Sequence, residues 1–262
     1  MEIILDKSYL QAAKEKEISS LCNEHFVIFP EELLYELVTT KETALFACFK
    51  HLPDQSNPVA LMPRLAKLIQ YELGLQRPCT PLRDRIFNVA YDFNRALRSG
   101  TYAVTNEMKS DIAKWKNEII EDTTLFLKQC QSIDLWFPKL KDINSGLPDD
   151  FFTEPRALAR DRNFVRAVYA KLNKPVEYPD PSIIDEQWAV FRSLQTDLMA
   201  GILYAQRYGT CKSSCLPKAP EHDYIDLQLV VLSCLAGGIA SRDERFVIRL
   251  LRQLLESPIV LR

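Results

Sequence analysis

The chain begins with two short apolar runs, each followed by a helical pattern, and this alternation limits the folds that it can adopt. Residues 2–6 form the first run and residues 26–29 the second, which Pro30 closes. Residues 8–23 carry apolar side chains near one helical face, with Ser8 as the expected N-cap, and another helix is expected from Pro30 onward. Apolar runs joined by helices are typical of buried strands in a parallel sheet, so this opening predicts an α/β fold.

The middle of the chain has a different pattern. Between residues 45 and 219 the sequence shows no convincing strand, and proline-rich joints separate stretches with the apolar period of amphipathic helices. We expect helices over residues 80–97, 106–133, 156–172 and 185–208. This segment is therefore predicted to be almost entirely helical and to pack on or beside the sheet.

The α/β pattern returns after the middle segment. A helix is expected from about Asp223 to Leu235, then a short strand at 237–241, a helix from Arg242 and a last strand at 258–261. Together with the opening pattern, this predicts that the first strand lies beside the strand at 238–241.

These patterns predict a single α/β domain that is built from two separated parts of the sequence. Residues 1–45 and 220–262 would share one parallel sheet, and residues 46–219 would form a large helical insertion between them. Such an insertion is physically easy because the termini of a domain usually lie close together.

Composition and charge exclude several classes of function. Seven glycines are few for 262 residues, and no arrangement of them spells a dinucleotide fingerprint, a Walker loop or a nucleophile elbow. The three histidines are scattered and form no zincin motif. A formal net charge of −2 argues against a protein that coats nucleic acid electrostatically, so a nucleic-acid partner would require a local basic patch.

The sequence also predicts where the protein resides. The first residues lack a basic region and form too short an apolar run for a signal peptide, and the most apolar later segment, residues 227–240, is shorter than the ~20 residues of a spanning helix. Seven cysteines without a secretion signal are best interpreted as free thiols. We therefore expect a cytoplasmic protein with no membrane partner.

Five acids fall where the predicted elements would bring them near one another. Asp6 closes the first strand, Glu36 lies on the helix after the second strand, and Asp243 follows the strand near the end of the chain. Asp223 and Asp226 lie at the start of the helix before that strand. Because sites in open parallel sheets form outside the carboxyl ends of the strands, we expect these carboxylates to cluster. Clustered carboxylates repel one another unless a cation bridges them, and oxygen ligands favour Mg²⁺ or Mn²⁺.

The same residues resemble the motifs of PIN-domain nucleases. Residues 4–8 are similar to the opening strand of that family, and residues 29–37 to its second strand and helix, whose acid matches Glu36. Residues 222–227 followed by residues 240–246 are similar to the closing signature, in which an acidic helix start leads to a strand that ends in Thr-Arg-Asp or Ser-Arg-Asp before an aromatic residue. The resemblance covers about a third of the chain and says nothing about the helical middle.

The resemblance implies a metal-dependent endonuclease that acts most often on RNA. It implies that Asp6, Asp226 and Asp243 hold Mg²⁺ or Mn²⁺, which activates a water and stabilises charge on a phosphodiester. Glu36 would complete the ligand shell or orient the water. Asp226 is favoured over Asp223 because its spacing to Asp243 is closer to that of the family, and Asp223 would be an extra ligand or a helix cap.

Three residues that flank the acids are candidate substrate contacts, namely Lys7, Ser241 and Arg242. The helical middle would select the nucleic-acid substrate or bind a regulatory protein. Two other hypotheses stay open. One is a non-catalytic PIN-like scaffold for protein binding. The other is a haloacid-dehalogenase-like phosphatase that opens on Asp6, although such enzymes need a second aspartate where Ser8 stands.

Two further patterns have a functional and a plainer interpretation. Cys211 and Cys215, with His222 nearby, suggest zinc, but no second cysteine pair exists and a reduced loop is favoured. A run of arginines in the middle segment suggests a grip on phosphate, but a solvated helix face is favoured; its members are Arg156, Arg160, Arg162 and Arg166.

Overall fold

A sheet of five parallel strands forms the centre of the computed structural model. The strands are β1 (Glu2–Leu5), β2 (Phe26–Pro30), β3 (Ala60–Met62), β4 (Gly238–Ala240) and β5 (Ile259–Leu261). Their order across the sheet is β3-β2-β1-β4-β5. The structure describes residues 1–39, 48–49, 51–53, 57–88, 105–172, 178–210 and 220–262. The predicted α/β class with a parallel sheet is confirmed.

The first and last parts of the chain meet in the middle of this sheet. β1 pairs with β4 through Ile4–Ile239 and Leu5–Ala240, and with β2 on its other side. The predicted pairing of the first strand with the strand at 238–241 is therefore confirmed. Because β2 and β3 extend the sheet on one side of β1, and β4 and β5 on the other, the strand order reverses between β1 and β4. Open parallel sheets bind their ligands at such a switch point.

Helices cover both faces of the sheet. The described α-helices are α1 (Lys7–Ala12), α2 (Glu15–Glu24), α3 (Glu31–Thr39), α4 (Leu65–Leu75), α5 (Asn106–Gln131), α6 (Thr153–Arg160), α7 (Arg162–Lys171), α8 (Ala189–Tyr208), α9 (Pro220–Ala236) and α10 (Val247–Leu254). Short 3₁₀ helices lie at Leu82–Arg85, Ile133–Leu135, Pro138–Leu140 and Asp149–Phe152.

Alternate side chains of the central strands enter two separate apolar cores. Ile3 and Phe29 pack on the face that α1, α2 and α3 cover. Ile4, Ile28 and Ile239 point to the opposite face and join the large core of α4 to α10. Burial on both faces explains why these strands are apolar at every position except Glu2, at the start of β1. The helices of the middle segment thus share one core with the sheet.

The structure corrects the prediction that no strand lies between residues 45 and 219. β3 lies there and pairs with β2 through Ile28–Ala60 and Phe29–Leu61. Its apolar run lies between Pro58 and Pro63 and is too short to give a strand pattern, so the sequence presents it as a proline-rich joint. The prediction of an all-helical middle segment is wrong at β3, and the predicted boundaries at residues 46 and 219 lie outside the described residues.

The helix predicted over residues 8–23 consists of two helices. α1 begins at Lys7 with Asp6 in the N-cap position, so the prediction that Ser8 is the N-cap is wrong. The Ser8 hydroxyl instead donates a hydrogen bond to the Asp6 carboxylate. Near the end of the chain, the predicted helix start at Arg242 is wrong. A turn follows β4, and α10 begins only at Val247.

The middle helices agree with the sequence patterns in two cases and differ in two. α5 and α8 confirm the helices predicted over residues 106–133 and 185–208. The helix predicted over residues 156–172 divides at Asp161, whose carboxylate accepts the amide of Phe164 at 2.7 Å and begins α7 as a new helix. Where a helix was expected from residue 80, the described part shows only the 3₁₀ turn before residue 88, and residues 89–104 lie outside the described part.

Two buried glutamates connect the helices by accepting hydrogen bonds at helix N-termini. Glu32 of α3 accepts the amide of Leu65, at the start of α4, at 2.6 Å. Glu72 of α4 accepts the amides of Ala189 and Val190, at the start of α8, at 2.6 and 3.0 Å. Burial raises the pKa of Glu32 to about 7. Helix N-termini favour negative charge, so these contacts fix the positions of α4 and α8 relative to the sheet.

The packing of β4 between its neighbours predicts opposite effects for two glycine substitutions. A Cβ at Gly238 would lie 2.7 Å from Ile3 Cδ1 and 3.1 Å from Ile259 Cβ, whereas nothing lies within 4 Å of a Cβ at Gly74. We expect Gly238→Ala to lower the free energy of unfolding by about 1–3 kcal/mol through overpacking. Gly74→Ala, at an exposed position of α4, should raise the free energy of unfolding by about 0.5–1 kcal/mol through helix propensity. Urea denaturation measures the free energy of unfolding of each variant, and two variants of equal stability would contradict this packing.

Candidate functional site

Asp6 is held at the carboxyl end of β1 by residues from both parts of the chain. Its side chain is buried, and its amide donates to the carbonyl of Ala240 at 3.1 Å. Its Oδ2 accepts hydrogen bonds from the hydroxyl of Ser241 at 2.6 Å and from the hydroxyl of Ser8. Burial raises the pKa of Asp6, and the two hydroxyls oppose that effect. The pairing of β1 with β4 thus fixes one oxygen of this carboxylate.

Asp243 lies just beyond β4 at the same edge. Its amide donates to Ser241 Oγ at 3.1 Å, and its Oδ1 accepts the amides of Arg245 and Phe246 at 2.9 and 3.1 Å. Its negative charge contributes to the raised pKa of Asp6. The Asp243 carboxylate therefore shapes the turn before α10 and also faces the first acid.

Asp226 of α9 is the acid on which the charges of the others converge. The side chain is half-buried. Burial first, and then the negative charges of Asp6, Glu36, Asp243 and Asp223, raise the pKa of Asp226 well above its usual value. We call these five residues the acid cluster. The structure brings all five sequence-predicted acids to the sheet edge at the switch point.

Asp223 has a partner that the sequence does not reveal. The hydroxyl of Tyr204, on α8, donates to Asp223 Oδ2 at 2.6 Å. Burial and this hydrogen bond raise the pKa of Tyr204. In the sequence, Tyr204 belongs to the apolar pattern of a long helix, so no signal separates it from ordinary core residues. The contact ties a helix of the middle segment to the acid cluster.

The cations that flank the cluster have acidic partners. Lys7 Nζ lies 2.9 Å from Glu36 Oε1, and the two side chains are only 17% and 16% exposed. Arg242 Nη2 lies 3.3 Å from Glu17 Oε2, and its guanidinium lies 5.9 Å from the centre of the Tyr9 ring. Lys7 thus brings positive charge to the cluster, while the Arg242 side chain is held against α1 and α2.

The donor chemistry of the cluster suits Mg²⁺ or Mn²⁺, which prefer oxygen ligands. The second oxygens of Asp6 and Asp243, and both oxygens of Asp226, accept no hydrogen bond from a described residue. Within the described part of the chain, however, no three histidine, cysteine or acidic side chains are arranged as ligands of one ion. The cluster therefore offers suitable donors that are not assembled into a coordination sphere.

The arginine run of the middle segment is neither a free phosphate grip nor a plain solvated face. Arg156 is buried and donates two hydrogen bonds to Asp149, at 2.9 and 2.8 Å. Arg162 pairs with Glu186, and Arg166 donates to a backbone carbonyl at 2.8 Å. These side chains hold α6 and α7 in place. The other pattern, Cys211 and Cys215, lies outside the described residues.

Comparisons with known proteins leave the family of the chain open. No protein-family model, curated protein or solved structure matches it. The resemblance to PIN-domain nucleases therefore rests on the motifs around the acid cluster.

Mutual repulsion within the cluster predicts that Asp226→Asn stabilises the metal-free protein at pH 8. The folded pKa of Asp226 is raised above the unfolded value of about 3.9, so its contribution to stability is present at low pH and lost as pH rises through the folded pKa. Asparagine resembles the protonated acid at every pH. We expect D226N to gain about 0.5–2 kcal/mol at pH 8 and to lose less stability than wild type as pH rises from about 4 to 8.

Urea denaturation in EDTA across this pH range measures the effect. The matched control is Asp150→Asn, at an exposed acid outside the cluster, which should change stability by less than about 0.5 kcal/mol. A D226N protein less stable than wild type at pH 8 would show that the cluster is not strained by repulsion.

Proposed function

We propose that this chain is a Mg²⁺- or Mn²⁺-dependent endonuclease that hydrolyses phosphodiester bonds, with RNA as the favoured substrate. The observation that carries the proposal is that Asp6 and the Asp243 amide share the Ser241 hydroxyl at the switch point of a parallel sheet. The negative charges of four acids at this edge help to raise the pKa of Asp226. So much like charge in a partly buried place is unfavourable unless a cation joins it. The resemblance of the surrounding motifs to PIN-domain nucleases adds the reaction class.

In this proposal Asp6, Asp226 and Asp243 hold the ion through the oxygens that no described residue occupies. The bound ion supplies a water of lowered pKa and neutralises charge on the phosphodiester. Ser8 and Ser241 hold Oδ2 of Asp6, so they orient a ligand rather than touch the substrate. Ser241 is thus reassigned from a candidate substrate contact to a positioning residue.

Glu36 and the flanking cations have supporting roles in this proposal. Glu36 completes the ligand shell or orients the water, with Lys7 beside it as a candidate phosphate contact. Arg242 stays a candidate phosphate contact, because only Nη2 of its partly exposed guanidinium lies near Glu17. Asp223, held by Tyr204, is an extra ligand rather than the main one.

A non-catalytic scaffold is the second candidate. It is favoured by the absence, in the described residues, of three ligating side chains arranged around one point. The phosphatase hypothesis is weaker, because the hydroxyl of Ser8 binds Asp6 where that chemistry needs a second carboxylate. A regulatory protein on the helical middle and a cytoplasmic location stay predictions. None of the described helices has the length and apolar character of a membrane span.

Asp243→Asn separates catalysis from folding. The substitution keeps Oδ1 as the acceptor for the amides of Arg245 and Phe246 but removes a charge that the ion requires. We expect Mn²⁺-dependent cleavage of single-stranded RNA to fall by about 100-fold or more. The melting temperature in EDTA should hold or rise, because repulsion within the cluster decreases.

Glu244→Gln is the matched control. Glu244 is the next residue in the chain, and its exposed carboxylate pairs with Arg252 and Arg262 instead of the cluster. It should keep full activity. If Asp243 only serves the helix dipole, D243N will lose about 0.3–1 kcal/mol of stability and remain active, and that outcome would remove Asp243 from the proposed metal site. No Mn²⁺-dependent cleavage by wild type would refute the nuclease assignment.

A further inference from the structure

A cleft lined by three arginines opens beside the acid cluster. It lies between the end of α8 and the start of α10 and has a volume of about 320 Å³. Arg207 comes from α8, and Arg245 and Arg249 come from the segment around α10. All three side chains are exposed. We call this feature the arginine cleft.

The wall of the arginine cleft is bonded directly to the acid cluster. Tyr204 lines the cleft, and its hydroxyl donates to Asp223. Phe246 also lines it, and its amide donates to Asp243. An extended chain that passes over the acids would therefore meet the arginines next.

The arginines of the cleft differ from other surface arginines in their partners. Arg162, Arg242 and Arg252 each pair with a glutamate. By contrast, no carboxylate in the described part of the chain lies within ion-pair distance of the three cleft arginines. The cleft thus concentrates positive charge that nothing described neutralises by direct contact.

One of these arginines is held in position by a network behind the cleft. Arg249 Nη2 donates to Gln206 Oε1 at 3.2 Å. The same oxygen accepts Arg156 at 2.8 Å, and the Gln206 amide donates to Asp149 at 3.1 Å. Because Arg156 is itself buried and paired with Asp149, Gln206 has a fixed orientation. Arg249 is therefore presented to the cleft by a built support rather than by a loose surface side chain.

We propose that the arginine cleft binds a phosphate group of single-stranded RNA, at a position next to the bond that is cut at the acid cluster. Guanidinium groups match the geometry of phosphate oxygens and form strong charge-assisted hydrogen bonds. The volume is at the small end of the range for ligand sites, as a single phosphate with its sugar requires. The identity of the ligand rests on the proposed nuclease function.

The charge of the whole chain makes such a subsite necessary. With a net charge of −2 and five carboxylates at the cutting site, the chain places more negative charge there than one divalent ion offsets. Affinity must then come from a separate patch of positive charge close to that site. The arginine cleft meets this requirement with side chains from two helices that are distant in sequence.

The experiment measures RNA binding without cleavage. Fluorescence anisotropy of a labelled oligouridylate in EDTA, at low ionic strength, compares wild type with the triple variant R207Q/R245Q/R249Q. The matched control is K109Q/K116Q/K128Q, which removes the same charge from exposed lysines of α5 that do not line the cleft. We expect the cleft variant to bind about tenfold or more weakly, with a salt dependence reduced by about 0.7 per lost phosphate contact, and the control to bind nearly as wild type does.

Each outcome decides the proposal. Equal weakening by both triples, no weakening by the cleft triple, or no binding by wild type would overturn it. If the cleft triple does not fold, as its melting curve shows, R245Q alone replaces it, because no described residue bonds to that side chain. A separate Mn²⁺ cleavage assay keeps the two claims distinct: selective loss of binding together with an inactive wild type supports the cleft and rejects the nuclease.

Discussion

Two backbone pairings, Ile4 with Ile239 and Leu5 with Ala240, join the beginning of the chain to its later part. They place Ser241 where its hydroxyl reaches Asp6, and they bring Asp243 to the same edge. α9, which leads into β4, then brings Asp226 over that edge. The contacts among Asp6, Ser241 and Asp243 follow from this pairing of β1 with β4. Tyr204 and Lys7 reach Asp223 and Glu36 from other elements.

Glu32 and Glu72, two buried glutamates outside the cluster, differ in how far their carboxylates are satisfied, since Oε2 of Glu32 has no hydrogen-bond partner in the described part of the chain. Glu72 accepts amides with both oxygens, and its role is to hold the start of α8. Within the cluster, Asp6 and Asp243 each have one oxygen occupied, and Asp226 has none among the described residues. The cluster differs from both glutamates in that several acids meet at one edge, where burial and the negative charges of four other acids raise the pKa of Asp226. We therefore interpret the unsatisfied oxygens as ligands for a cation, which also makes the neighbouring arginine cleft useful for the substrate.

The sequence predicts the parts of this arrangement that depend on local patterns. Apolar runs show β1, β2, β4 and β5, and acids at their ends show where the cluster lies. β3 is not predicted because the four residues between Pro58 and Pro63 are too few to show a period. Two other features are not predicted for a different reason. The contact of Tyr204 with Asp223, and the cleft that Arg207 and Arg249 share, depend on how α8 packs against α9 and α10. No local sequence pattern encodes that packing.

The central claim is that the acid cluster exists to hold a divalent cation. The most direct measurement is anomalous diffraction from a crystal of the protein equilibrated with saturating Mn²⁺ near pH 8. We expect one strong anomalous peak among Asp6, Asp226 and Asp243, with Oδ2 of Asp6 still bonded to Ser241. Well-ordered acids with no peak between them at saturating Mn²⁺ would contradict it.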